Sequence, residues 1–274
     1  MPSYQPSLRR GDPDRLGAYR LLGFLGEGGQ GTVYLALDPD GRQVAVKVLH
    51  AWLAKDDRAR KRFMREFEAA RQVRQFCTAR VLDVAALGDS PYIVSEYVPG
   101  ESLRDLIARE GPRESDALER LAIGTATALS AIHQAGVVHR DFKPTNVLMA
   151  TDGPRVIDFG LARALDPAKT ESGELIGSPA YLSPEQIATG RVGPPSDMFS
   201  WGVTMVFAAT GVPAFGSDSV PTVMNRILNN DPDLSRLPGR LRVLVAGSLA
   251  KQPEERPTAA DVLLTLLGYQ VPIA

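Results

Sequence analysis

The alternation of apolar and polar positions changes period several times along the chain, and each change predicts an element. Thr32 to Leu37 and Gln43 to Leu49 are rich in β-branched and apolar residues, and "DPDG" between them carries the Asp-Gly signal of a tight reversal. A pair of strands is predicted there, with no helix before about Asp56. In "DDRARKRFMREFEAARQVRQF", Phe63, Phe67 and Ala70 recur at helical spacing and define the buried face of an amphipathic helix. "YIVSEYVPG" is predicted as a strand, and "NVLM" and "RVIDF" as two short strands joined by the turn "TDG". "MFSWGVTMVFAATG" is apolar for only about a dozen residues before Gly211 and Pro213, too short for a bilayer and suited to a helix buried in protein. "AADVLLTLLG" forms a last helix. The N-terminal "MPSYQPSLRRGDPD" has no apolar h-region and, with its Pro, Ser, Arg and Gly, predicts a flexible lead-in over residues 1–18.

Composition narrows the class. At 274 residues the chain suits one bilobal domain or two small ones. With 31 basic against 32 acidic residues, nothing calls for a nucleic-acid partner. The single cysteine, Cys77, excludes an internal disulfide framework and a Cys-based zinc site, and suits a small apolar filler. Three histidines without HExxH spacing argue against a histidine metal site. No repeat, low-complexity tract or membrane segment is visible, and a reducing, cytoplasmic setting is expected.

Candidate chemistry begins at "GEGGQGTVYLAL", where Gly26, Gly28 and Gly31 have the spacing G-x-G-x-x-G. Such glycines open the helix of a dinucleotide-binding unit, or form a hairpin that covers phosphates. A strand rather than a helix follows Gly31, which favours the hairpin lid. Lys47 in "VAVK" is the only charge between Val44 and Leu49. It is either a sheet-edge lysine with its head in water or a group aimed at α- and β-phosphates. Such a lysine needs a carboxylate to fix it. Glu66 shares the face of Phe63 and Ala70, whereas Glu68 lies about 200° around the helix in solvent.

"VVHRDFKPTNVLMATDGPRVIDFG" then places Asp141, Lys143, Asn146 and Asp158 between apolar strand-like stretches. Its hairpin would bring Asn146 and Asp158 together at one end. An amide oxygen and a carboxylate there suit Mg²⁺, which takes oxygen ligands and keeps waters and substrate phosphates.

In these motifs the chain resembles the eukaryotic-type Ser/Thr protein kinases of bacteria. "GEGGQGTV" is similar to the glycine-rich loop, "VAVK" to the strand lysine, "HRDFKPTN" to the catalytic loop, "DFGLAR" and "SPAYLSPEQ" to the two ends of the activation segment. "SDMFSWG" resembles the helix that anchors the larger lobe, and "EERP" holds its late arginine. The frequent Ala, Arg, Gly and Pro add an actinobacterial source. The resemblance implies an α+β bilobal fold over residues 19–268, with an N-lobe to about 97, a C-lobe from about 98, and a tail at 269–274. It also implies ATP and Mg²⁺ as cofactors, Ser/Thr-bearing proteins as partners, and a homodimer as a route to autophosphorylation.

Roles carried by the resemblance are as follows. Asp141 accepts or orients the substrate hydroxyl's proton and Lys143 steadies the transferring phosphate. Asn146 and Asp158 hold the metal, and Lys47 with Glu66 positions the α- and β-phosphates. Leu25, Gly26, Glu27, Gly28, Gly29, Gln30, Gly31, Thr32 and Val33 form the loop over ATP. Val33, Ala45 and Leu148 sandwich the adenine, the backbone from Glu96 to Val98 meets its edge, and Ser95 stands behind it as a small gatekeeper. Thr170 and Ser172 are phosphorylation candidates, with Arg140 as the partner of the phosphate. Ser178 shapes the substrate site, and Glu185 pairs with Arg256. The chain departs from the family in "SPE" for "APE", Gln30 at the loop tip, "FCTARV" for a His-Pro turn, and a small Ala70. Two rivals, a catalytically silent pseudokinase and a small-molecule kinase, are disfavoured by the intact catalytic groups and by the "SPEQ" platform.

Overall fold

The computed structural model describes residues 7–29, 31–50, 57–73, 76–87, 90–160 and 179–270. The first lobe is an antiparallel sheet of β1 (Arg15–Leu16), β2 (Tyr19–Gly28), β3 (Gly31–Leu37), β4 (Gln43–Leu49), β5 (Val81–Leu87) and β6 (Ser90–Glu96), in the order β1-β2-β3-β4-β6-β5. One helix, α1 (Asp57–Arg71), packs on it. This helix stops short of the periodic stretch, because Gln72 and Val73 turn back onto the Ala69 and Ala70 carbonyls at 3.0 and 3.2 Å.

Strand alternation divides the sheet into two faces with different duties. Tyr34 and Ala36 of β3, Val44 and Val46 of β4, and Tyr92 and Val94 of β6 build an outer cluster with Leu16 and Leu21. Leu49 and Ile93 face the other way, into the core that holds Phe63, Phe67 and Ala70 of α1. The register pairs Val33 with Lys47 and Ala45 with Ser95, so all four share the inner face.

The second lobe carries a small sheet of β7 (Glu101–Ser102), β8 (Val147–Ala150) and β9 (Gly153–Val156), and helices α2 (Leu103–Glu110), α3 (Ser115–Gln134), α4 (Pro184–Ala188), α5 (Pro194–Thr210), α6 (Val220–Asn229), α7 (Gly239–Ser248) and α8 (Ala259–Leu266). The apolar stretch expected to be an internal helix is α5, buried from Ser196 to Ala209. Its Trp201 indole donates to Thr125 of α3 at 2.9 Å, satisfying a polar pair that burial would otherwise penalise.

A backbone strut joins the lobes. Val156 donates to the Cys77 carbonyl at 2.8 Å, and Ala79 donates to Val156 at 3.0 Å. Burial raises the Cys77 thiol above its ordinary pKa and keeps it unreactive, so the cysteine is a filler beside the strut. The expectation of a free lead-in differs from the structure. From Ser7 the chain is laid on the sheet, with Leu16 buried and Leu21 donating to the Asp14 carbonyl at 2.9 Å.

Candidate active site

The hairpin between β2 and β3 comes to its tip at Gly28 and Gly31, which pair in the register. A Cβ on Gly31 would land on the Val48 carbonyl, so only glycine lets the hairpin lie this close to β4. A Cβ on Gly26, Gly28 or Gly29 would meet nothing within 4 Å. That bare backbone leaves room for a phosphate chain to approach. Glu27 pairs with Thr32 on the outer face, and its carboxylate accepts from Arg9 at 2.8 Å, away from the inner surface. Gln30 lies outside the described residues.

Opposite the hairpin lies the loop before β8. Asp141 accepts from the Lys143 ammonium at 2.8 Å, with both side chains largely covered. Asn146 is buried and donates its amide nitrogen to the Asp141 carbonyl at 2.8 Å. Its amide oxygen remains as an acceptor for a cation. Ile157 donates to the Asn146 carbonyl at 3.0 Å, and the next residue, Asp158, adopts φ 59°. Both expected metal residues therefore stand at the same end of the β8–β9 hairpin. Gly160, at φ 72°, donates to the His139 carbonyl at 3.1 Å; a Cβ there would meet Val137 and Val138 at 3.0 Å. Among the described residues no group of three or more His, Cys, Asp or Glu side chains could hold a metal. A cation at Asn146 and Asp158 would need phosphate and water oxygens as well, which is the ordinary situation for Mg²⁺.

Two buried groups that the sequence reading did not single out hold this loop. Asp197, the lone acid of the buried α5, accepts from the backbone N–H of His139 at 2.7 Å, that of Arg140 at 2.8 Å, and His133 Nε2 at 2.8 Å. Arg140 sits at φ 66°, a left-handed conformation that costs a non-glycine residue and persists because its surroundings impose it. The signal was available: the one charged residue of a buried helix needs a partner. His139 is the second group. Its Nδ1 accepts from Asp141 N–H at 3.4 Å, its Nε2 faces the Ile157 carbonyl at 3.1 Å, and its ring lies edge-on to Phe142. Burial lowers its pKa, so the imidazole is neutral and suits one donated and one accepted bond.

The ion pairs around Lys47 depart from the expected pairing. Lys47 donates to Asp158 at 3.0 Å, while Glu66 is forked by both terminal nitrogens of Arg140 at 3.0 Å each. The planar guanidinium matches a carboxylate with two parallel hydrogen bonds, which a lysine ammonium cannot do. Glu68 is exposed. Of the positions expected to meet adenine, Val33, Ala45 and Ser95 share the inner face, while Leu148 pairs with Ser102 and Arg155 in the small sheet. Val98 is buried, and the Glu96 N–H is taken by the Arg80 carbonyl at 2.8 Å.

Glu185 in α4 and Arg256 are 71 positions apart and meet through two hydrogen bonds of 2.8 Å. The remaining donors of Arg256 reach the carbonyls of Ala250, Pro195 and Lys251 at 2.8, 2.9 and 3.1 Å, and Ser196 donates to Glu185 at 2.7 Å. Burial alone would raise the Glu185 carboxyl, but the bonds from Arg256 and Ser196 overcome it and hold the group below its ordinary range. Thr170, Ser172 and Ser178 lie outside the described residues.

A glycine hairpin over a sheet lysine, facing a loop with a lysine-paired aspartate and two oxygen donors, defines a bilobal phosphoryl-transfer fold. The comparisons agree. The protein kinase domain family model matches residues 19–266, and the chain belongs to that family. It is 49% identical over 260 residues to the probable serine/threonine-protein kinase PkwA of Thermomonospora curvata, covering 94% of this chain and 35% of the relative. It is 46% identical over 265 residues to the serine/threonine-protein kinase AfsK of Streptomyces coelicolor, covering 96% of this chain and 33% of that one. This chain thus spans about a third of the length of these two relatives. Among solved structures, Rad53 1-466 in complex with AMP-PNP superposes with a TM-score of 0.76 at 25% identity, covering 90% of this chain and 64% of that one.

Proposed function

We propose that this domain transfers the γ-phosphate of ATP to Ser or Thr hydroxyls of proteins. The observation that carries the reading is the Asp141–Lys143 pair, set beside Asn146 and Asp158 and opposite the glycine hairpin. Asp141, held by Lys143 at 2.8 Å, would orient a substrate hydroxyl and take its proton. Lys143 then offers positive charge to the moving phosphoryl group. Asn146 and Asp158 are the residues that would hold Mg²⁺, which neutralises phosphate charge when bound. Val33, Ala45 and Leu148 would enclose the adenine. Because the Glu96 N–H is occupied, the donor to its edge comes from further along, at Val98. Positioning and charge neutralisation are what phosphoryl transfer demands most.

The Arg140–Glu66 fork supports a switched enzyme. A phosphate on Thr170 or Ser172 would compete with Glu66 for Arg140 and release the carboxylate towards Lys47. Such autophosphorylation, in a transient homodimer, would couple the activation segment to α1. The domain's test is transfer of labelled γ-phosphate to a generic protein substrate, followed by phosphoamino-acid analysis. Label on Ser and Thr that depends on Mg²⁺ supports the reading; ATP binding with no transfer contradicts it. Full activity of a Thr170→Ala/Ser172→Ala variant would refute the switch.

A further inference from the structure

The folded chain begins before the family match. Residues 7–16 lie ahead of position 19, yet they are built onto β2 through contacts that converge on one side chain. Arg9 donates to Glu27 at 2.8 Å and to both oxygens of Asp12 at 3.4 and 3.3 Å, and its guanidinium lies 3.9 Å over the Phe24 ring. Asp12 is fixed in turn by the Arg9 N–H at 2.8 Å and the Tyr34 hydroxyl at 2.9 Å. Phe24 stands edge-on to Tyr34, and its N–H donates to the Ser7 carbonyl at 3.2 Å. Leu8 packs against the outer cluster beneath.

We propose that Arg9 is a positioning residue for ATP, acting through Glu27 and Phe24 to set the height of the glycine hairpin above the nucleotide. Two features of the hairpin create the need. Its register with β3 is irregular twice, between Leu21 and Gly23 and between Phe24 and Gly26, so the ladder alone holds it incompletely. Gly28, Gly29 and Gly31 near its tip bring no side chain to brace it. Glu27 and Phe24 flank the Gly26 approach, and both are gripped from the outer face by one guanidinium. Arg9 therefore touches no reacting group. It acts on the surface that does, and a planar fork seated on an aromatic ring is suited to hold two carboxylates at once.

This inference rests on ATP being the nucleotide under the hairpin. Its test compares Arg9→Ala, Arg9→Lys, Glu27→Gln and the Arg9→Ala/Glu27→Gln double variant, with Arg10→Ala as a control at an exposed neighbour. ATP affinity is read by direct titration and by KM, alongside kcat and the melting temperature. Arg9→Ala is expected to weaken ATP affinity and raise KM roughly threefold to tenfold, with kcat at saturating ATP within about twofold. Arg9→Lys recovers part of the loss, and the double variant adds little to either single one. Unchanged ATP affinity in Arg9→Ala overturns the proposal. So does a loss confined to melting temperature and active fraction, which marks the strap as structural only. A parent chain that binds ATP without transferring phosphate defeats the kinase reading instead, and the affinity comparison still decides the role of Arg9.

Discussion

The helical lobe and the sheet lobe use the same charged groups in opposite ways. In the helical lobe, Arg256 is fully covered and Glu185 nearly so, and every donor of the guanidinium has a partner. Asp197, equally buried, binds two backbone N–H groups and a histidine. In the sheet lobe the pairs are looser: Arg9–Glu27 is about half exposed on both sides, and Glu66 and Lys47 reach across to residues of the other lobe. Buried, fully satisfied pairs have no cheap alternative partner, so they hold one geometry. Partly solvated pairs can change partners at small cost, so they hold an equilibrium. The Asp141 loop is attached to the first kind of structure and the glycine hairpin to the second.

The largest expected effects break activity without breaking the fold. Lys47→Met and Asp158→Asn each lose on the order of a thousandfold or more in turnover, and their losses do not add, because the groups act together. Their melting temperatures fall less than those of the Glu185 and Arg256 variants, since Asp158 is about a third exposed. Phosphate transfer assays and thermal melts on the same preparations check both halves; near-normal turnover in either variant removes that residue from the mechanism.

Next come the buried pairs, where stability takes the loss. Glu185→Gln and Arg256→Met should each destabilise by about 3–5 kcal/mol, because each strands the other partner. Chemical denaturation measures this directly. Small losses in both would show that the helical lobe is no more rigid in its charges than the sheet lobe.

A pH series sharpens the same contrast with a smaller effect. Glu185 has its folded pKa below its ordinary value of 4.5, so its contribution is complete above that value. It is lost as pH falls through the folded value. The parent should therefore lose stability below about pH 4.5 more steeply than Glu185→Gln, and parallel curves would contradict the assignment.

The smallest effect is expected at Ser95. It is half-buried on the inner face beside Ala45, with small, buried Ala70 in the core of that face. Ser95→Met should leave ATP affinity within about twofold while weakening adenine mimics with bulky extensions at least tenfold. Equal inhibition of both proteins by such a mimic would mean that neighbouring side chains already fill the space.

Much of the site was legible because its motifs are local. Asp141, Lys143 and Asn146 lie within six positions, and the strand period that flanks them is short and clear. Glu185 and Arg256 needed the family resemblance, since nothing local connects residues 71 apart. Two things were not legible. The partner of Glu66 depends on a competition between Lys47 and Arg140, and only the folded chain brings Arg140, 74 positions away, into it. The strap over 7–16 has the composition of a loop, and its order comes from Arg9, Asp12 and Leu16 fitting positions on a sheet formed later in the chain. Asp197 stands one position before the apolar run that begins at Met198, and the run signals a buried helix without pointing to the charge at its edge.

The most direct test of the account is Asp141→Asn. The substitution keeps shape and removes the carboxylate proposed to take the hydroxyl's proton, while Asp197 still holds the loop through His139 and Arg140. Phosphate transfer, ATP affinity and melting temperature should be measured together. The account predicts nearly unchanged affinity and melting, with transfer reduced by on the order of a thousandfold or more. Near-normal transfer by Asp141→Asn would contradict it.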